Sequence, residues 1–168
     1  MRTRRQLPLT TTVISPLPKI PTAQHGCNGC AEKESDRMMS TREKHPKIHR
    51  IALVDNDPRA LDSLSAVIAS KVPTAYVVWT ATSGCEAIER CQDANGHVSL
   101  LILDMSMEGL QGPATCRRLR LMGQRMPILG VTSFSINSYR DKLVEAGAQG
   151  LVGKENADQL AQIIMRMC

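Results

Sequence analysis

Aromatic side chains and long apolar runs are both scarce in this sequence of 168 residues. Phe, Trp and Tyr make up 2% of the chain, so nucleic-acid binding by stacking bases on aromatic rings is not expected. No apolar run approaches the roughly 20 residues that a membrane-spanning helix needs, and no membrane contact is expected. The hydrophobic fraction of 42% and the charged fraction of 22% are ordinary for a globular domain.

A disulfide framework is also missing, although the chain contains 6 Cys. Four of them fall in helix-like segments, where a free Cys usually acts as a small apolar side chain: Cys85, Cys91, Cys116 and Cys168. This usage indicates a reducing, cytoplasmic compartment.

The motif HGCNGC places His25, Cys27 and Cys30 close together near the front of the chain. A structural zinc site needs four ligands, and no second CxxC follows. We interpret the two Cys as incidental thiols, with a metal or redox site as the alternative.

Residues 1–47 lack aromatics and any sustained hydrophobic period, but they contain five of the 9 Pro. They also contain nine of the 21 Lys and Arg but only four of the 16 Asp and Glu, so the net charge of +5 belongs to this segment. We interpret it as a disordered basic leader. The absence of acid from the first 24 residues suggests a transit peptide, and translation from Met38 or Met39 is the alternative.

Residues 48–168 carry no net charge and alternate between apolar strand-like runs and amphipathic helices. The strands are HRIALVD, AYVVWTA, VSLLILD, PILGVTS and GLVGK, and helix starts are marked by Asp57–Pro58, Ser83–Glu86, Gly112–Pro113 and Asn156–Gln159. Nearly continuous apolar strands indicate a sheet covered on both faces. The prediction is an α/β fold, a flavodoxin-like doubly wound (βα)5 three-layer sandwich with five parallel strands in the order 2-1-3-4-5.

Polar residues follow the predicted strands, and the carboxyl ends of parallel strands meet at one edge of the sheet. They are Asp55, Asn56 and Asp57 after the first strand, Asp104 after the third, Thr132 and Ser133 after the fourth, and Lys154 after the fifth. Clustered carboxylates repel each other unless a cation joins them, and oxygen ligands favour Mg²⁺. A carboxylate beside Mg²⁺ can accept a phosphoryl group, which a Lys and a Thr hydroxyl can then bind.

A glycine-rich loop is absent after the first strand, where the acidic DNDPRALD stands instead. An acidic loop repels the phosphates of a nucleotide or flavin, so a dinucleotide-binding enzyme is disfavoured.

Four motifs in this order, LVDND, LILDMSMEG, GVTSF and AGAQGLVGKEN, resemble the receiver domain of bacterial two-component response regulators. The last motif is most similar to receivers of the NarL/LuxR type. The resemblance implies that Asp104 is the phosphoacceptor, Thr132 the switch hydroxyl and Lys154 the phosphate-pairing lysine. It also implies Mg²⁺ ligation by Asp55, Asn56, Asp104 and the backbone carbonyl of Ser106.

Three positions depart from the family pattern. Asn56 replaces the second acid of the metal-binding pair, which should weaken Mg²⁺ binding, although Asp57 next to it is a substitute ligand. Glu108 stands where Pro is usual, and Leu151 stands where an aromatic switch residue is common. The output domain that NarL-type regulators carry is not expected in these residues.

The resemblance predicts a signalling switch rather than an enzyme, phosphorylated by a histidine kinase or phosphotransfer protein, with a homodimer as a further expectation. One alternative is a pseudo-receiver that binds partners without taking phosphate. Another is a fragment of a LuxR-type transcriptional regulator without its DNA-binding domain. Direct DNA binding is not predicted, because Arg117, Arg118, Arg120 and Arg125 are interpreted as a solvated helix face.

Overall fold

Strands and helices alternate through residues 48–168, the part of the chain that the computed structural model describes. In this part the strands are β1 (His49–Val54), β2 (Ala75–Ala81), β3 (Leu100–Asp104), β4 (Ile128–Thr132) and β5 (Gly150–Gly153). The α-helices are α1 (Pro58–Lys71), α2 (Gly84–Gln92), α3 (Gly112–Leu121), α4 (Arg140–Glu145) and α5 (Ala157–Met167). Short 3₁₀ helices at Ala94–Gly96 and Ile136–Ser138 precede β3 and α4. The predicted leader and the HGCNGC motif lie outside the described residues.

The five strands form one parallel sheet in the order β2-β1-β3-β4-β5, which confirms the predicted fold class and strand order. β1 and β3 lie side by side at the centre, and Val54 is level with Leu103. Asp104 at the end of β3 is level with Val131 of β4, and Thr132 is level with Gly153 of β5. This register brings the polar residues after β1, β3, β4 and β5 to the same edge.

Two apolar layers cover the sheet, one on each face. On one face Ile51 and Leu53 of β1 pack with the buried residues of α1 and α5, and on the other face Ala52 and Val54 pack with α2, α3 and α4. All five residues of β3 are buried, which explains why that strand reads as an unbroken apolar run ending in Asp104. Burial of each Leu or Ile stabilises the fold by roughly 1.5–3 kcal/mol.

The helix starts predicted from Asp57, Ser83 and Asn156 are confirmed by their hydrogen bonds. Each side-chain oxygen accepts from a backbone N–H in the first turn: Asp57 from Arg59 at 3.0 Å, Ser83 from Glu86 at 3.2 Å and Asn156 from Gln159 at 3.1 Å. The Glu86 carboxylate accepts from the N–H of Thr82 at 2.9 Å, one residue before the position a capping box uses.

The cysteines within residues 48–168 differ in burial. Cys91 and Cys116 are buried, and burial raises the pKa of each thiol to about 11, so both act as the apolar side chains that were predicted. The same expectation is wrong for Cys85, which is exposed in the first turn of α2.

The solvated arginine face expected on α3 is confirmed for Arg117 and Arg118 and is wrong for Arg120. The guanidinium of Arg120 donates to the carbonyl oxygens of Gly147 at 3.0 Å and Gln124 at 2.9 Å, and to Oε1 of Gln149 at 3.0 Å. Arg120 therefore joins the end of α3 to the α4–β5 connection, a role that its place in a basic run does not reveal.

Candidate functional site

Asp55, Asp104 and Lys154 meet at the carboxyl edge of the sheet, as the sequence predicted. Asp55 follows β1, Asp104 ends β3, and both carboxylates are almost completely buried. The ammonium of Lys154 lies 2.6 Å from Oδ2 of Asp55 and 3.0 Å from Oδ1 of Asp104. The ammonium of Lys154 pairs with both carboxylates and so offsets the free-energy cost of burying two acids side by side.

Burial and pairing act in opposite directions on the ionisation of these groups. Burial raises the pKa of the Asp104 carboxyl, and this outweighs the lowering caused by Lys154 and by the N–H of Ser106. Burial also lowers the pKa of the Lys154 ammonium, but its hydrogen bonds to Asp55 and Asp104 raise that pKa further than burial lowers it. The site therefore stabilises the charged form of Lys154 and destabilises the ionised form of Asp104.

Backbone N–H groups of the following loops fix both carboxylates. Oδ1 of Asp55 accepts from the N–H of Asp57 at 3.0 Å, and Oδ2 of Asp104 accepts from the N–H of Ser106 at 3.1 Å. These turns over two residues are typical of Asp at a strand end. They hold each carboxylate in one orientation toward Lys154.

Gly112 lies against the backbone of the Asp104 segment. A Cβ at this position would touch the carbonyl oxygen of Asp104 and lie 2.8 Å from Cα of Met105. The sequence analysis interpreted Gly112 only as part of a helix start, and its contact with Asp104 was missed. The residue pattern offers no signal for such a contact between a helix start and a strand end.

Thr132 is buried at the end of β4, and its hydroxyl oxygen accepts a hydrogen bond from the N–H of Phe134 at 3.0 Å. The backbone carbonyl of Thr132 accepts from the N–H of Lys154 at 2.9 Å. The backbone of Thr132 is thus hydrogen-bonded to Lys154, while its hydroxyl oxygen is hydrogen-bonded within the loop that follows β4. Ser133, also considered at this strand end, is exposed.

The remaining predicted metal ligands lie at the margin of the site. Asn56 is exposed, and the Asp57 side chain caps α1 through the N–H of Arg59. Within residues 48–168 no three His, Cys, Asp or Glu side chains are grouped so that they could hold a metal ion. The oxygen donors present still suit Mg²⁺, which takes one or two carboxylates and keeps several waters.

Two of the departures from the family pattern are placed by the structure. Leu151 is buried between β5 and the layer formed by α2, α3 and α4. Glu108 is exposed in the loop after Asp104.

No helix within residues 48–168 has the length and apolar character to cross a membrane.

The response regulator receiver domain matches residues 51–165 of this chain. Response regulator MprA of Mycobacterium ulcerans (strain Agy99) is 34% identical over 118 residues, which are 70% of this chain and 48% of that protein. MprA of Mycobacterium avium (strain 104) is 33% identical over the same share of this chain and 49% of its own length. The chain spans about half the length of the curated relatives it matches.

Solved structures of response regulators superpose on this chain. A two-component response regulator of the LuxR family from Aurantimonas sp. SI85-9A1 superposes with a TM-score of 0.66 at 26% identity, covering 71% of this chain and 84% of that one. A LuxR-family DNA-binding response regulator from Staphylococcus aureus has a TM-score of 0.64 at 18% identity, covering 71% and 98%, and supports the fold alone.

The fold, the paired aspartates with their lysine and the sequence relatives define a receiver of two-component signal transduction. The chain belongs to the response regulator receiver domain family. Receivers of this family work in phosphorelay signalling, generally with Mg²⁺, and interact with histidine kinases or phosphotransfer proteins. The resemblance seen in the four sequence motifs is therefore confirmed at the level of the family, whereas the NarL/LuxR subtype stays a prediction.

Proposed function

We propose that Asp104 of this chain accepts a phosphoryl group from a histidine kinase or a phosphotransfer protein. The observation that carries the proposal is the position of Lys154, whose ammonium lies within 3.0 Å of Asp104 and 2.6 Å of Asp55. One cation between two buried carboxylates is able to stay with Asp55 while Asp104 reacts.

In the proposed step a carboxylate oxygen of Asp104 attacks the phosphorus atom of a phosphohistidine. A P–O bond forms, the P–N bond breaks, and the electron pair of that bond returns to the imidazole nitrogen of the donor. Reaction needs the ionised carboxylate, and burial makes that form less stable than it is in water. The N–H of Ser106 and the ammonium of Lys154 offset part of this cost.

Asp55 and Asp104 would hold Mg²⁺, with the amide oxygen of Asn56 and the backbone carbonyl of Ser106 as further ligands. The bound ion supplies neutralisation of the charge on the phosphoryl oxygens. Asp57 does not take part, because its carboxylate caps α1. Asn56 contributes one negative charge fewer than an acid would, so binding is weak before a phosphoryl group arrives.

After transfer, Lys154 pairs with the phosphoryl oxygens and the Thr132 hydroxyl donates to one of them. The Thr132 hydroxyl has a donor proton for this, since its oxygen only accepts from Phe134. When Thr132 moves, the loop before α4 shifts with it, and the surface formed by α4 and β5 changes. A partner or a second copy binds this surface. The domain is a cytoplasmic signalling switch rather than an enzyme with turnover, and it does not contact DNA itself.

The test is phosphorylation by acetyl phosphate or phosphoramidate with Mg²⁺, followed by intact mass spectrometry. Asp104→Asn should lose the added phosphoryl group, whereas Asp62→Asn on the exposed side of α1 should retain it. A gain in the Asp104→Asn protein, or none in the wild type with both donors, would contradict the proposal.

A pseudo-receiver is the second candidate, because Asn56 is exposed and the described residues lack a cluster of three acidic or other metal-binding side chains. Such a module would bind its partner equally well with or without Mg²⁺ and a phosphodonor. Failure of both donors and of Mg²⁺ titration in a folded protein would favour it.

A further inference from the structure

A groove of about 490 Å³ lies between α2 and α3. Its apolar lining comes from Ile88 of α2, Leu110 of the loop before α3, and Ala114 and Leu121 of α3. Leu121 is 77% exposed, more than any other large apolar side chain within residues 48–168. Contiguous exposed apolar surface is typical of interaction sites, and the proposed phosphorylation chemistry does not use this groove.

The two walls of the groove carry opposite charges. Glu89 lies on the α2 wall, Arg117 and Arg118 lie on the α3 wall, and all three are exposed. Within residues 48–168 none of these side chains makes a hydrogen bond or an ion pair. The neighbouring Glu86 and Arg90 already pair with each other at 2.9 Å. A ligand of one charge would therefore be attracted by one wall and repelled by the other.

The opposite charges lie at similar heights along the groove. Both helices begin at the carboxyl edge of the parallel sheet, so they run in the same direction. Gly84 at the start of α2 packs against Thr115 of α3. Glu89, five residues after Gly84, is therefore level with the second half of α3, which carries Arg117 and Arg118.

A second copy of this chain fits such a groove. A twofold rotation about an axis parallel to the groove places α2 of one copy over α3 of the other at the same height. Glu89 of each copy then faces Arg117 and Arg118 of the other, since every contact in a twofold interface occurs twice. Residues 1–47 fit less well, because their net charge of +5 suits only the Glu89 wall.

We propose that the groove between α2 and α3 is the interface of a homodimer with its twofold axis along the groove. Ile88 and Leu121 of the two copies pack at its centre, and the two sets of charges pair around them. The interface contains neither α4 nor β5, so it differs from the surface that is proposed to respond to phosphorylation. Only two helices of each copy take part, and a small interface of this kind gives a weak dimer.

Sedimentation velocity of the full chain over a concentration series tests the proposal. A reducing agent keeps exposed thiols such as Cys85 from forming disulfides, and no phosphodonor is present, so the result is independent of Asp104. The dimer fraction should rise with concentration. Glu89→Arg, and separately the double variant Arg117→Glu with Arg118→Glu, should each weaken the dimer at least about tenfold, because like charges then face each other twice.

An equimolar mixture of these two charge-reversal variants should dimerise about as well as the wild type. In the mixed dimer each contact again joins opposite charges, which is not so in either variant alone. A mere loss of folding would not be rescued by mixing. A mixture that stays as monomeric as its components, or a wild type that stays monomeric at every concentration, would overturn the proposal.

Leu121→Ser tests the apolar centre and should weaken the dimer about tenfold, because the Leu121 side chains of both copies are buried on association. Val144→Ser is the matched control, since Val144 is an exposed apolar residue of α4 with 44% of its surface accessible. It should dimerise as the wild type does. A loss in Val144→Ser as large as that in Leu121→Ser would place the interface at α4 and refute the groove.

Discussion

Lys154 and Asp55 form a buried ion pair, with 2.6 Å between Nζ and Oδ2. The same ammonium reaches Asp104 at a longer distance, 3.0 Å. Lys154 therefore keeps a partner whatever happens to the charge of Asp104, and Asp104 is the carboxylate of the two that is more easily released. This asymmetry suits a residue that reacts beside one that stays in place.

Loss of Lys154 should destabilise the protein, because two buried carboxylates would be left without their cation. We expect Lys154→Met to lower the free energy of unfolding by about 3 kcal/mol, the low end for breaking a buried pair, since solvent partly reaches Lys154. Lys71→Met is the control, because Lys71 lies at the same 2.6 Å from Asp158 but on the surface. It should cost less than about 1 kcal/mol in urea unfolding. Equal losses would contradict a buried, structural role for Lys154.

Stability should depend on pH through Asp104 in a direction set by its raised pKa. Because the folded state holds the Asp104 proton above the ordinary pKa of 3.8, it binds more protons than the unfolded state in the range just above that value. The contribution of Asp104 to stability therefore falls as pH rises through this range.

Asp104→Asn, which cannot ionise, should accordingly be more stable than the wild type at neutral pH. The difference in unfolding free energy between the two proteins should narrow as the pH approaches 3.8 from above. Urea unfolding of the two proteins between about pH 3.5 and about pH 8 measures this difference, since the range begins just below the ordinary Asp pKa of about 3.9 and extends past neutral pH. A wild type that is the more stable protein at pH 7 would contradict the direction of the shift.

Arg120 should contribute to stability but not to phosphorylation. Arg120→Ala removes three hydrogen bonds, to Gly147, Gln124 and Gln149, and with them the link between α3 and the α4–β5 connection. We expect a loss of about 2 kcal/mol. Arg117→Ala, on the exposed face of the same helix, should change stability by less than about 0.5 kcal/mol. Intact mass after acetyl phosphate treatment should show a phosphoryl group on both variants under conditions where each is folded.

Much of the fold was predictable because its signals are local. Continuous apolar runs predict covered parallel strands, and Asp57, Ser83 and Asn156 mark helix starts by chemistry that depends only on near neighbours. The site followed from the same logic, since parallel topology forces the residues after β1, β3 and β5 to one edge. The pairing of Lys154 with Asp55 as well as Asp104 is consistent with that placement.

The contacts that were missed depend on tertiary packing. Arg120 and Arg117 belong to one basic run, and only the packing of α3 against the α4–β5 connection separates them. Cys85 and Cys116 are both cysteines in helices, yet one is exposed and the other buried. The close approach of Gly112 to Asp104 and the groove between α2 and α3 join segments that are separated in sequence, so no local pattern reports them.

Gly112→Ala should perturb the phosphorylation site through the backbone. The added methyl would touch the carbonyl oxygen of Asp104 and lie 2.7 Å from Cε of Met105, so the Asp104 segment must shift. We expect a loss of about 2 kcal/mol and slower phosphorylation by acetyl phosphate. Gly150→Ala is the control, because its methyl would meet only the flexible end of Leu129 at 3.1 Å. Comparable effects of both variants on the phosphorylation rate would refute the specific contact.

Asn56→Asp should strengthen Mg²⁺ binding, because it adds a negative charge at the exposed margin of the site without disturbing the core. Hard divalent cations respond to the number of charged oxygen ligands, and we expect about tenfold tighter binding with faster phosphorylation at low Mg²⁺. Isothermal titration with Mg²⁺ measures the affinity.

Asp57→Asn tests whether the Asp57 carboxylate itself binds Mg²⁺. The variant removes this carboxylate, but Asn retains the ability to cap α1. If Asp57 only caps the helix, as its bond from Arg59 indicates, this variant should bind Mg²⁺ within about twofold of the wild type, the change expected from one screened surface charge. A loss as large as the gain in Asn56→Asp would instead make Asp57 the substitute ligand. In that case the cap and the metal would compete for one carboxylate, and Mg²⁺ binding would loosen the first turn of α1.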